Sequence, residues 1–291
     1  MNKYKIVAVI LNYITWQDTI ECVDSLLGMC YADHEVVIVE NGSKNESVEE
    51  LERRYDGNKK VYIVKSDINL GFARGNNLGI KFAKEKLSAD FVYVANSDTV
   101  ISDKSLYSQI VEKYYEEGIG VISPTVHKLD GSYHLPAINC DNIYKKAASA
   151  WIRLLYVYFF YGFNQKCKQN KRNKQSIGIE KSDMSHSYAW KKYVVQGCAY
   201  FLTPDFFMHY KCLYPKTFLY WEEINLLMYI RKANLSSILA ETSTVVHKVG
   251  GITGQIFEEK DRMRLRESLK SGIRSIGMFF LPARVITALF N

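Results

Sequence analysis

Short apolar runs alternate with helix-period stretches over the first 125 residues. Residues 5–11, 35–40, 61–65 and 91–95 are rich in valine, isoleucine and aromatics, whereas 19–27, 47–55 and 75–86 space their apolar positions for one buried helix face. This strand–helix–strand rhythm builds a mostly parallel sheet with helices on both faces, so the pattern predicts an α/β fold of Rossmann type. Ligands of such sheets bind beyond the carboxyl ends of the strands. The polar residues there are Asn12, Glu40, Asn41, Ser66, Asp67, Asn96 and Asp98.

Between residues 138 and 192 the rhythm breaks. An aromatic run at 151–163 and a basic, polar stretch at 164–174 read as an insertion. A strand is expected at 193–202 and a helix at 222–233, whose Ile224, Leu227, Met228 and Ile230 are spaced for burial. Residues 257–291 read as a helical tail, charged at 258–267 and apolar at 276–290, so the chain divides into a body, 1–256, and a tail, 257–291. Residues 273–290 approach the length of a short membrane span, but Arg274, Pro282 and Arg284 interrupt them. The expectation is a helix lying in the headgroup plane, with packing on the body as the alternative.

Composition narrows this picture. Of 291 residues, 47% are apolar and 24% charged, which excludes a disordered or fibrous chain. An excess of 38 basic over 31 acidic residues favours anionic partners such as nucleoside diphosphates or anionic lipid. Nucleic acid fits the charge but no recognisable module accompanies it, so no nucleic-acid partner is expected. Six cysteines without a C-x-x-C spacing read as reduced thiols. With no secretory signal visible, the expected location is cytoplasmic.

The chain has no G-x-x-x-x-G-K-[ST], and no G-x-G-x-x-G follows the first strand, which removes the main support for a P-loop NTPase or a dinucleotide dehydrogenase. Gly71, Gly75 and Gly79 fall four apart, in a spacing open to phosphate cradling or close packing.

Four segments stand out together: I-L-N-Y at 10–13, V-E-N-G-S at 39–43, N-L-G-F-A-R-G-N-N-L-G at 69–79 and A-N-S-D-T at 95–99. In this order and spacing they resemble glycosyltransferase family 2, most closely its rhamnosyltransferase-like branch. The likeness covers the first 125 residues and resumes over 195–254, where F-L-Y-W-E-E at 218–223 and R-K-A-N at 231–234 stand for the family's aromatic-E-D segment and R-K-A-G. It implies a GT-A-like fold and inverting transfer from a nucleotide sugar, a UDP-hexose or dTDP-rhamnose, to a saccharide acceptor, with Mn²⁺ or Mg²⁺ as cofactor.

The resemblance assigns donor binding to Asn12, Tyr13, Glu40, Asn41, Asn69, Arg74, Asn77, Asn96, Ser97 and Lys248. It assigns the cation to Asp98 and His247, and the acceptor's general base to Glu223 with Glu222 in support. The chain departs from the family pattern at four of these places: Glu40 and Glu223 replace aspartates, Asn96 replaces the first acid of D-x-D, and Asn225 replaces a second aspartate.

The chemistry of each residue agrees. A carboxylate at a strand end can accept from a uracil or thymine imide, as expected of Glu40, or can cap the turn that follows it. A guanidinium at a helix start favours an anion, although Arg74 alone reads equally as a solvated surface residue. Asp98 can hold a divalent cation whose other ligands come from a diphosphate, whereas N-S-D-T alone is a turn sequence. His247 suits Mn²⁺ or a purely structural place. Sugar hydroxyls are too weakly acidic to attack unaided, so a carboxylate such as Glu223 must take the proton. Two adjacent glutamates also suit a helix's first turn. The glycine-rich 249–254 stretch would let a loop close over the donor. The aromatic-basic insertion and the tail suggest a polyprenyl-diphosphate-linked acceptor in surface polysaccharide synthesis, with peripheral contact on the inner face of the plasma membrane. The alternative function is a non-catalytic sugar-nucleotide or glycan-binding protein on the same fold.

Overall fold

The computed structural model describes residues 4–132, 138–139, 143–159, 194–248 and 261–290. In chain order the elements are β1 (Ile6–Asn12), α1 (Trp16–Leu27), β2 (His34–Asn41), α2 (Ser47–Tyr55), β3 (Val61–Ser66), α3 (Phe72–Glu85), β4 (Phe91–Asn96), β5 (Thr99–Ile101) and α4 (Leu106–Gln109), continued by a π-turn at Ile110–Tyr114. There follow β6 (Ile119–Lys128), β7 (Ile138–Asn139), α5 (Ile143–Phe159), β8 (Val194–Val195), β9 (Ala199–Leu202), α6 (Pro204–His209), α7 (Glu222–Lys232) and β10 (Ser236–His247). The tail forms α8 (Asp261–Ser275), α9 (Gly277–Phe280) and α10 (Ala283–Phe290).

Eight strands make one sheet in the order β3-β2-β1-β4-β9-β6-β10-β5. The pairs β3–β2, β2–β1, β1–β4 and β6–β10 are parallel, whereas β9 and β5 run antiparallel to their neighbours. All seven residues of β1 are buried, as a strand covered on both faces requires. Val7 and Val9 pack with the α3 side and Ile6, Ala8 and Ile10 with the α1 side, each half of the alternation joining a separate core cluster. The α/β architecture expected from the rhythm is the one observed.

Several boundaries differ from the sequence pattern for local reasons. Helix α3 starts at Phe72 rather than residue 75, because Gly71 takes φ 78° and turns the chain into the helix there. The strand expected at 193–202 is two strands, split by a turn at Gln196–Cys198. The end of α7 is closed by Asn234 at φ 56°, in the left-handed conformation asparagine tolerates. Gly75 and Gly79 settle on close packing, since a Cβ would come within 2.6 Å of Leu11 and 2.4 Å of Val9 respectively.

The aromatic run begins on α5, which packs against α8 and α7. The basic 164–174 stretch and the 249–254 glycines lie outside the described residues. The tail is three helices fixed to the body. Met278 and Ile286 are fully buried, Ser271 Oγ donates to Leu219 O (2.7 Å), Tyr214 Oη to Arg274 O (2.7 Å) and Lys232 Nζ to Leu281 O (2.7 Å). Among the described residues no helix is long and apolar enough to cross a membrane.

Candidate active site

Parallel register places the expected donor residues at one sheet edge. Asn12 pairs with Glu40, Leu11 with Asn96, and Asn41 with Ser66, so the ends of β1, β2, β3 and β4 lie side by side. Most polar groups there bind their own chain. Glu40, 2% exposed, accepts from the backbone amides of Gly42 (3.2 Å) and Ser43 (3.0 Å) and thereby fixes its own turn. The side chain of Asn41 donates to Asn69 Oδ1 (3.1 Å) and accepts from Leu70 N–H (3.0 Å), and Asn69 Oδ1 also accepts from Gly71 N–H (2.8 Å).

Asn77 sits apart from the strand ends. Its amide donates to Leu213 O and accepts from Leu213 N–H, both at 2.8 Å, which clamps α3 to the segment after α6. Ser97 is buried against Thr15 (3.3 Å) and Tyr13 is half-buried. Arg74 is different: exposed on the first turn of α3, it has no hydrogen-bond or ion-pair partner among the described residues. Asn12 accepts from Thr19 Oγ1 (2.8 Å) while its buried Nδ2 has no partner among them.

Asp98 and His247 come together through the antiparallel pairing of β5 with β10, in which His247 faces Thr99. His247 Nε2 lies 3.0 Å from Asp98 Oδ1, and both side chains are nearly buried. Burial pulls the imidazole's pKa down, but hydrogen bonds to Asp98 and the Cys198 thiol outweigh it and push it up to about 10. Two ligands at right angles around a cation, each roughly 2.1 Å from it, also stand about 3.0 Å apart, so this oxygen–nitrogen pair would fit one edge of a divalent site once a cation displaced the imidazole proton. Among the described residues no cluster of three or more His, Cys, Asp or Glu is shaped to hold a metal, so a cation here needs ligands from substrate or water. Lys248, expected at the diphosphate, donates its backbone N–H to Asp98 O (3.0 Å) but turns its ammonium to Asp18 (3.0 Å) and Glu21 of α1.

The two glutamates open α7 after a strained approach. Tyr220 and Trp221 take φ 71° and 73°, conformations costly for aromatic residues. The segment is held from both sides. Phe72 N–H donates to Phe218 O (2.7 Å), and a Cβ on Gly71 would lie 2.2 Å from that same oxygen. Trp221 is buried against Trp151 (centroids 6.3 Å apart) and over Gly272.

Glu223 is thereby aimed at the β8–β9 turn, where a Cβ on Gly197 would come 1.9 Å from its Oε1. The next residue, Cys198, meets His247 by its thiol and accepts from Asn96 N–H (2.9 Å) by its carbonyl. Glu223, Asn96 and His247 thus meet at one turn, and Asp98 joins it through His247. Burial raises the pKa of Glu223 above the ordinary carboxylate range, and burial with the neighbouring Glu223 charge does the same for Glu222. Glu222 Oε1 and both amide atoms of Asn225 are buried without partners among the described residues.

Gly197, Cys198 and Trp221 were not candidates on sequence. The isolated glycine inside an apolar β-run was the available signal, since it marks close approach to the backbone. The left-handed Trp221 left none.

The sequence model for "Glycosyl transferase family 2" matches residues 6–171. Glycosyltransferase GlyG of Streptococcus pneumoniae is 27% identical over 111 residues, 37% of this chain and 36% of that protein. The low-salt glycan biosynthesis hexosyltransferase Agl10 of Haloferax volcanii is 24% identical over 123 residues, 42% of this chain and 37% of that one. The match therefore spans little more than a third of these relatives' length. Among solved structures, the mannosyltransferase PcManGT of Pyrobaculum calidifontis with GDP-Man and Mn²⁺ aligns at TM-score 0.56 and 10% identity, covering 99% of this chain and 74% of that one. TarS 1–349 of S. aureus aligns at 0.54 and 12%, covering 84% and 60%. At these identities the structures establish the GT-A fold.

Proposed function

The chain belongs to glycosyl transferase family 2, and on that footing we propose that it transfers a sugar, with inversion, from a nucleoside-diphosphate sugar to a saccharide hydroxyl. The observation that carries this reading is the single turn at Gly197–Cys198, which meets the half-buried Glu223 carboxyl at Gly197 and Asn96 and His247 at Cys198, with Asp98 bound to His247. Glu223 takes the proton from the acceptor hydroxyl as it attacks the anomeric carbon in line. The turn holds the carboxylate across from the departing diphosphate. Glu222, its pKa raised by burial and by Glu223, stays protonated longer and spares the site a second negative charge.

Asp98 and His247 would hold Mn²⁺ or Mg²⁺, and the imidazole favours Mn²⁺. When bound, such a cation offsets the charge developing on the nucleoside diphosphate. Arg74 on the first turn of α3 approaches the same anion, with the helix N-terminus adding its partial positive charge. Asn12, whose Nδ2 lacks a partner among the described residues, has a donor free for ribose or base, and Tyr13, Asn96 and Ser97 border it. Glu40, Asn41, Asn69 and Asn77 shape the pocket through backbone contacts. Lys248 reaches a phosphate only by leaving Asp18 and Glu21. The donor is a UDP-hexose or dTDP-rhamnose, and the acceptor a saccharide on polyprenyl diphosphate in surface polysaccharide synthesis. Solved relatives carrying UDP, UDP-GlcNAc, and GDP-Man with Mn²⁺ support the donor class and the use of a cation.

A second reading, a non-catalytic sugar-nucleotide binder, is favoured by Glu40's engagement with its own turn and by asparagine in place of the first acid of D-x-D. A panel of UDP- and dTDP-sugars, assayed for nucleoside-diphosphate release with and without Mn²⁺, separates the two. Cation-dependent release is expected. Saturable donor binding with no release under any condition would overturn transfer in favour of binding.

A further inference from the structure

Helix α5 carries large apolar side chains on its inner and its outer side. Ile143 and Ala147 are fully buried, and Tyr144, Trp151 and Leu154 pack on the same core. On the outer side Ile152, Tyr156 and Phe159 stand 69%, 53% and 74% exposed, at the i, i+4, i+7 spacing of a single face. The tail repeats this arrangement. Met278 is fully buried, while Ile273, Ile276 and Phe280 are 52%, 41% and 81% exposed. Among the described residues these two elements hold six of the nine exposed large apolar side chains.

The two elements lie against each other. Trp151 Nε1 donates to Gly272 O (3.2 Å), and Tyr144 meets Phe279 with centroids 6.0 Å apart, so α5 and α8–α9 run antiparallel as one layer. Exposed large apolar side chains gathered on one part of a protein surface mark an interaction surface.

Charge identifies the occupant. Residues 1–142 carry 15 basic and 21 acidic side chains, whereas residues 143–291 carry 23 and 10. Helix α5 has three basic residues and no acidic one, and Lys145 of α5 and Arg266 and Arg274 of α8 are exposed. A second copy would bring the same positive sign to the contact and be repelled. An apolar face among cations matches the interface of a bilayer containing anionic lipid.

We propose that α5 and α8–α9 form a docking surface for an anionic lipid bilayer. The surface is the joint face of two helical elements, not an isolated amphipathic tail, because the tail's other side is sealed against the body. Its inner side bears on the candidate base: Trp151 and Gly272 pack on Trp221, the residue before Glu222. A docked bilayer would therefore lie one packing layer from the carboxylates. The inference does not depend on sugar transfer.

The test is vesicle flotation of the full chain with phosphatidylcholine alone or mixed with phosphatidylglycerol. The wild type is expected to float with the anionic vesicles and to be released by salt. The double substitution Phe159→Ser, Phe280→Ser should lower partitioning by about tenfold or more, with the thermal midpoint and donor turnover in vesicle-free solution unchanged. Leu129→Ser, Met208→Ser, which removes exposed apolar side chains elsewhere, should float like the wild type. Equal flotation of both double variants, or no flotation of the wild type, would overturn the proposal. So would a wild-type dimer in size-exclusion chromatography that the Phe159, Phe280 variant converts to monomer without any vesicle binding.

Discussion

The sheet edge that holds the donor motifs and the turn that holds the glutamates treat their polar groups in opposite ways. Glu40, Asn41, Asn69 and Asn77 satisfy backbone amides and carbonyls of their own chain. Around α7, by contrast, Glu222 and Asn225 keep buried polar atoms unpartnered among the described residues, two aromatic residues adopt left-handed backbone, and both carboxyls are raised in pKa. A satisfied buried group stabilises the fold, and an unsatisfied one costs stability until a ligand or a proton completes it. On the proposed function, the difference separates motif residues that shape the chain from residues poised for chemistry.

The sharpest way to break that distinction is Glu223→Gln. Loss of the base should reduce transfer by about 10²- to 10⁴-fold with folding retained, as measured by nucleoside-diphosphate release and a thermal melt. Near-normal transfer would remove Glu223 from the mechanism and erase the contrast. Next in size, Asp98→Ala should lower turnover by about 10²-fold and raise the Mn²⁺ concentration needed for half-maximal rate. An unchanged Mn²⁺ titration would show that the Asp98–His247 pair is structural.

A paired comparison sharpens the donor side. Arg74→Ala, at a side chain exposed and without a partner among the described residues, should raise the donor KM by about tenfold, the size of one lost charge-assisted contact, without moving the melting temperature. Asn77→Ala should do the reverse, costing about 1–3 kcal/mol of stability for the two hydrogen bonds to Leu213 while leaving the donor KM within a factor of about two. If both variants behave alike, the motif does not separate into ligand-facing and chain-facing residues.

The smallest effect is in pH. Glu223 acts only when ionised, and its raised pKa places the acidic limb of the rate profile above the ordinary carboxylate range. Glu222 is still protonated when Glu223 ionises, so Glu222→Gln removes no charge there and should leave that limb in place. Stability follows the same sign. A carboxyl whose folded pKa lies above its unfolded value binds more protons when folded, so its contribution is full below the unfolded pKa and is lost as pH rises through the folded one. Glu222→Gln should accordingly raise the melting temperature more at pH 8 than near about pH 4. A limb moved to lower pH in Glu222→Gln would mean that Glu222 ionises before Glu223.

Much of the molecule was legible in the chain itself. The period-2 and helix-period runs gave the α/β order, with α2 matching residue for residue and β1, β2, β3 and β4 to within one residue at each end. Local chemistry dominates there, because each element's burial pattern repeats its own periodicity. The tail was legible only in part: its helicity followed from composition, but the side it buries depended on α5, Tyr214 and Lys232, residues distant in sequence. The break at Gln196–Cys198 was missed because an apolar run looks the same whether a strand is continuous or interrupted by a turn.

The sequence by itself determined which chemical groups are available to the proposed site: the carboxylates Asp98, Glu222 and Glu223, the imidazole of His247, the guanidinium of Arg74, and the strands whose ends carry three of the proposed donor segments. The tertiary structure decided which of those groups meet. It joined Asp98 to His247 through a strand pairing, brought Glu223 against Gly197, turned Lys248 toward α1, and assigned Asn77 to Leu213. Periodicity records only what a residue's own element buries, whereas these contacts, all but Glu223–Gly197 between residues more than a hundred apart, arise when separate elements compete for the same space.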